Sequence, residues 1–195
     1  MSVVLYGFFG EDAGQRKFLD AYLPHCGSAP LNVVFETAPY FGKKFGPMNN
    51  KVVDRRSADA CREAFVLSRP QLDWLFIGRD IDSFDPSHYQ NKVDELWANI
   101  PDQWHHRTLL LLPVQCIEHW LLYLAQYPKR DSLERTPNDQ TKKLLYADQT
   151  KSRELIVTEL LATIDTDRIA WLPEVSVSFR GFHQQVVLHM MPLMS

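Results

Sequence analysis

Four short stretches of this chain are apolar without the polar alternation of a half-solvated strand: SVVLYGFF (residues 2–9), LNVVFET (31–37), LDWLFIG (72–78) and RTLLLLPV (107–114). Strands that lack alternation have both faces covered, and here segments with helical spacing separate them. That combination predicts a mostly parallel sheet with helices on both sides, an α/β fold.

The intervening segments carry local signals of their own. Asp12, with Gln15 three residues on, reads as a capping box opening a helix from Ala13 to Leu23. APYFGKKFGPMNNKVVDRR, rich in Gly, Pro, Asn and basic residues, reads as a long loop. Ser57 is expected to cap a helix running to about Ser68, with Ala58, Cys61, Ala64 and Phe65 on its apolar face and Pro70 ending it. Asp85 and Pro86 form an N-cap and N1 pair for a helix carrying Tyr89, Val93, Leu96, Trp97 and Ile100. QCIEHWLLYLAQY (115–127) reads as another helix. Beyond Pro128 the texture is polar, with helices expected at about 139–163 and from Ser178 to Met191. The reading is one α/β domain over residues 1–127 and a helical extension over 128–195 packed on it.

Composition narrows the class. With 195 residues, 45% of them hydrophobic, the chain has enough apolar surface for a full core. No run of about 18 uncharged apolar residues is present, so no membrane partner is expected. The start, MSVVLYGFFGED, lacks the basic region and cleavage site of a secretion signal, and the expected location is cytoplasmic. Cys26, Cys61 and Cys116 are odd in number and unpaired in spacing, which suits reduced thiols. A net charge of −3 argues against a strong nonspecific nucleic-acid binder, leaving local charge to decide.

The chemistry gathers in the acids. LFIGRDIDSFDPSH (75–88) begins as a buried strand and ends with Asp80, Asp82 and Asp85 close together. In an open parallel sheet, ligands bind beyond the carboxyl ends of the strands, where loop residues converge. Glu11 follows the first strand, Asp80 and Asp82 follow the third, and Glu118 lies in the first turn of the helix after the fourth. Asp80 and Asp82, two apart on a segment read as extended, are expected to point the same way and grip one ion. Hard oxygen ligands suit Mg²⁺ or Mn²⁺, whose charge offsets carboxylate repulsion. Plainer readings exist for each: Asp85 is a helix cap, Glu118 an acid favoured by the helix dipole, and a lone Asp-x-Asp a turn.

On these residues the chain resembles the Toprim family. FFGEDAGQRKFL is similar to its first motif, a strand ending in Gly and Glu before a helix, and LFIGRDIDSFD to its second, an apolar strand ending in Asp-x-Asp. LLLLPVQCIEHWLL is similar to a segment of small stand-alone Toprim-like proteins of bacterial defence and abortive-infection systems. Glu11-Asp12-Ala13-Gly14 departs from the family pattern, which places a small hydroxyl residue there. The resemblance covers about residues 3–125, with weaker echoes at Lys142-Lys143 and SFRGF (178–182).

It implies a metal-dependent nuclease, an anti-phage effector, in which Glu11 is a general base or metal ligand. Asp80 and Asp82 hold Mg²⁺ or Mn²⁺, and Glu118 serves a second ion, the pair about 3.5–4 Å apart. Lys43, Lys44, Lys51, Arg55 and Arg56 would hold flanking nucleic-acid backbone, with Arg79 touching phosphate. For the basic segment the plainer reading is a solvated loop, and for Arg79 pairing with a neighbouring acid. Two other classes compete. His105, His106, Cys116 and His119 could gather around zinc, although their spacing matches no zinc motif. Alternatively, a noncatalytic Toprim-like module would dock on an ATPase partner. The apolar tail VVLHMMPLM reads as a terminal core helix or as a face for a homodimer.

Overall fold

The computed structural model describes residues 2–26, 33–45 and 48–190. The four expected strands are present as β1 (Ser2–Gly10), β2 (Val33–Thr37), β3 (Trp74–Gly78) and β4 (Thr108–Leu111). They form one sheet in the order β2-β1-β3-β4, and every pairing is parallel. Leu31 and Asn32, read as the start of the second strand, lie outside the described residues.

Alternation of side chains along the strands supplies both faces of the sheet. Tyr6, Phe8, Trp74, Phe76, Leu109 and Leu111 point into one core, which they share with α1 (Ala13–Tyr22), α5 (Ile117–Gln126) and the C-terminal helices. Phe9, Leu75, Ile77 and Leu110 point into the other, under α2 (Pro39–Lys44), α3 (Asn50–Arg62) and α4 (Pro86–Asn99). Burial on both faces is why the strands read as continuous apolar runs.

α2 and α3 correct the loop expected over residues 38–56. Pro39 occupies the start of α2, where its missing N–H is harmless, and Asn49 caps α3 by accepting from the Val52 N–H at 3.1 Å. Pro39 and Asn49, which suggested a loop, therefore open helices, Gly46 and Pro47 lie outside the described residues, and burial of Phe41, Phe45 and Val53 holds both helices against the sheet. Ser57 is no cap: it sits mid-helix, donating to the Val53 carbonyl at 2.7 Å. A π-helical turn, Glu63–Leu67, ends the segment before Pro70. Asp85 and Pro86 open α4 as expected.

The C-terminal third also differs from its expected pattern. The single helix at about 139–163 is two, α6 (Asn138–Leu145) and α7 (Arg153–Leu161), because Asp148 closes a turn with Thr150 and Ser152 caps a new start. Between them and α9 (Val177–His189) lies an unanticipated helix, α8 (Thr166–Val175), capped by Asp165 and containing Pro173. These helices join the sheet's core through Trp120, whose ring contacts Phe179 and Phe182 at centroid distances of 5.2 and 5.7 Å. Its indole N–H also donates to Ser178 Oγ at 2.9 Å. α9 protects the sheet edge as well, since the Gln185 amide accepts from Leu110 N and donates to Leu110 O. Val186 and Met190 of the apolar tail are core residues, and 191–195 lie outside the described residues. Among the described residues, no helix is long and apolar enough to cross a membrane.

Candidate active site at the carboxyl edge of the sheet

Register brings the acids together. Gly10 pairs with Gly78, and Gly78 with Leu111, so β1, β3 and β4 end at one level. The ladder then continues into the loops: Glu11 N donates to Gly78 O, Arg79 N to Leu111 O, and Ile81 N to Pro113 O. Asp82 N donates to Gln115 O at 3.0 Å, which lays the β3–α4 loop along the β4–α5 loop. Glu11, Asp80 and the start of α5 thereby share one rim.

Asp80 is its centre. It is 8% exposed, receives the Gln15 side-chain amide at 2.7 Å, and its backbone N–H donates to Glu11 Oε2 at 3.3 Å. Burial, followed by the charge of Glu11, holds the Asp80 carboxyl well above the usual range; Gln15 opposes this, while Glu118 and Asp12 add to it. Burial also raises Glu11, against the pull of the Asp80 N–H and of Arg79, whose guanidinium lies 3.9 Å away. Glu118 is 9% exposed and faces the Lys142 ammonium at 3.7 Å. Desolvation lowers Lys142, but Glu118, Cys116, Asp80 and Asp12 together outweigh it, and the net shift is upward.

Asp82 departs from the expected geometry. Its φ of 56° is left-handed, a conformation Asp tolerates better than most residues, so the Asp80–Asp82 segment is not extended. The carboxylate turns outward to an exposed position, 3.5 Å from Asn50 Nδ2. The rim therefore comprises Glu11, Asp80 and Glu118, with Asp82 at its margin.

Gln15 and Lys142 contact the rim's acids. Gln15 does not close a capping box: Asp12 alone caps α1, through Gly14 N, while the fully buried Gln15 side chain turns to Asp80. Gly78 makes room for it, because a Cβ there would collide with Gln15 Oε1. Lys142 was visible only as part of a weak echo, and α6 brings it to Glu118 by packing on α5.

The basic residues fare unevenly. Arg79 is bound to Asp54 at 3.0 Å and to its neighbour's carbonyl, so it serves the protein's own acids rather than a free phosphate. Lys44 neutralises the buried Glu63 at 2.5 Å, and Arg56 pairs with Asp59 over the Phe45 ring. Lys43, Lys51 and Arg55 are exposed. The zinc grouping does not form. His119 bonds Cys116 Sγ at 3.3 Å and the Thr136 carbonyl at 2.8 Å, whereas His105 bonds the Ile100 carbonyl.

The donors fit a hard divalent cation in kind: carboxylate oxygens, plus the buried Gln15 Oε1, which has no hydrogen-bond partner among the described residues. As placed, no three His, Cys, Asp or Glu side chains among the described residues come close enough to hold an ion. Glu11 and Glu118 are engaged by Arg79 and Lys142 instead. Comparison of the chain with protein-family models, with curated proteins and with solved structures gives no match.

Proposed function

We propose that this protein is a Mg²⁺- or Mn²⁺-dependent nuclease that hydrolyses phosphodiester bonds at the rim formed by Glu11, Asp80 and Glu118. The observation that carries the reading is the buried Asp80 carboxyl, held beside Glu11 and fixed by Gln15, in a setting that disfavours its own charge. Structural acids are usually exposed or paired with a cation, and such perturbed groups concentrate at functional sites. Asp80, Glu11 and Glu118 would hold the ion. A bound divalent ion would supply positive charge at the scissile phosphate and acidify its water. Where Glu11 does not ligate the ion, it would instead accept a proton from the attacking water. Lys142, 3.7 Å from Glu118, would offer a cation to charge developing on the phosphate.

The Toprim resemblance supports this chemistry and extends it to an anti-phage effector working with an ATPase. One observation favours the noncatalytic alternative, docking on that ATPase: the protein's own Arg79 and Lys142 already offset the rim's charge. The deciding experiment incubates purified protein with plasmid, single-stranded DNA or RNA in Mg²⁺ or Mn²⁺, alone and with its genomic neighbour. Cleavage that disappears in Asp80→Ala and Glu11→Ala supports the nuclease. No cleavage of any substrate, with partner binding intact, favours docking.

A further inference from the structure

Beside the rim lies a cavity of about 460 Å³ between α6 and α7 whose walls carry four cations. Lys142, Lys143, Lys151 and Arg153 line it together with Tyr146, against two acids, Asp139 and Asp148. Of these cations, Lys143 and Arg153 have no acid partner among the described residues. Asp148 accepts from both the backbone N–H and the hydroxyl of Thr150, which turns its oxygens to that loop while it keeps its charge. Lys151 is paired with Glu159 at 2.6 Å. Lys143 is exposed, and Arg153 stacks over the Tyr146 ring with its guanidinium carbon 5.1 Å from the centroid. The cavity borders the rim at Lys142, which lines it and also lies 3.7 Å from Glu118. α7 is tied to α1, which Asp12 caps at the rim, by the Lys17–Glu154 ion pair at 2.7 Å.

We propose that this cavity seats the phosphate backbone of a single-stranded nucleic acid whose neighbouring phosphodiester lies at Asp80. Phosphates need point charges and forked donors, which Lys143 and Arg153 supply, and Tyr146 with its stacked guanidinium offers a flat surface to a base. A concave pocket of this size admits a bending single strand, whereas a duplex presents its phosphates on a stiff convex surface. Of the basic residues of the α2–α3 segment, Lys44 and Arg56 are already paired, and the seat proposed here takes the main backbone contact in place of that segment. The identity of the ligand rests on the nuclease reading; its position does not.

The test is fluorescence anisotropy of an oligothymidylate on the full chain, in EDTA so that nothing is cleaved. Lys143→Ala/Arg153→Ala is expected to weaken binding at least about tenfold and to flatten the salt dependence by about 1.4, the slope of two lost phosphate contacts. Lys143→Glu, at an exposed position, checks the result without disturbing the Arg153 stack. Lys43→Ala/Lys51→Ala/Arg55→Ala should bind as wild type. Unchanged binding by the cavity variants, loss confined to the α2–α3 variant, or equal affinity for duplex overturns the proposal. Binding through the cavity by a protein that cleaves nothing would sink the nuclease reading alone. Cleavage with unaltered binding in the cavity variants would sink only the proposed seat.

Discussion

The side chain of Gln15 donates to Asp80 Oδ1 at 2.7 Å across 65 residues of sequence, and this bond ties the first helix to the acid at the sheet's edge. Both side chains are buried, so the bond forms where solvent cannot replace it. Gln15→Leu keeps the volume and removes the donor. Since hydrogen bonds to charged groups are worth about 1.5–3 kcal/mol, Mn²⁺ affinity should fall roughly ten- to a hundredfold. Isothermal titration with Mn²⁺ measures it, and an unchanged affinity would remove Gln15 from the site. Gly78→Ala, which crowds Gln15 Oε1, should act in the same direction.

Asp80 also sets a pH dependence of stability. Its pKa is raised in the folded protein above the ordinary 3.8, so the unfolded chain ionises first as pH rises. The stability from this group is full below 3.8 and is lost as pH climbs through the folded value. Asp80→Asn should therefore melt higher than wild type at pH 8, by about 2–4 °C for each kcal/mol relieved, and the gain should vanish near pH 3.5. The same variant should lose all metal-dependent cleavage. Melting curves across pH, read by circular dichroism, check the first expectation.

Lys142 is expected to oppose metal binding while assisting chemistry. Lys142→Met removes a cation from beside Glu118, so Mn²⁺ should bind several-fold more tightly while the cleavage rate drops. Single-turnover rates at saturating metal separate the two effects; weaker metal binding would contradict this placement.

Glu63 is 4% exposed and depends on Lys44. Lys44→Ala leaves a buried acid without its cation and should destabilise the protein by about 1–3 kcal/mol in urea. Adding Glu63→Gln should recover most of the loss, and failure to recover would mean that packing, not charge, holds α2.

The thiols should be inert in the native state. Burial pushes Cys26 up to about 12 and Cys61 up to about 11, and raises Cys116 as well. A thiol reagent such as Ellman's should therefore label none of the three until denaturant unfolds the chain, and fast labelling of folded protein would contradict their burial.

Apolar runs of strand length and cap residues at helix starts act over a few neighbours, and these local rules were enough to determine the parallel sheet, its flanking helices and the placing of Glu11, Asp80 and Glu118 beyond the strand ends. The same rules misread Pro39, Asn49 and Ser57, because a proline or asparagine at a helix start looks like a loop until Phe41 and Val53 are seen to be buried. They also extended Asp82, whose turn follows from Asp82 N bonding to Gln115 O on another loop. Gln15 on Asp80, Lys142 on Glu118 and Arg79 on Asp54 were decided by tertiary structure alone. Each of these pairs depends on which helix packs on which, and a buried charge takes the partner that packing brings within reach, however distant along the chain.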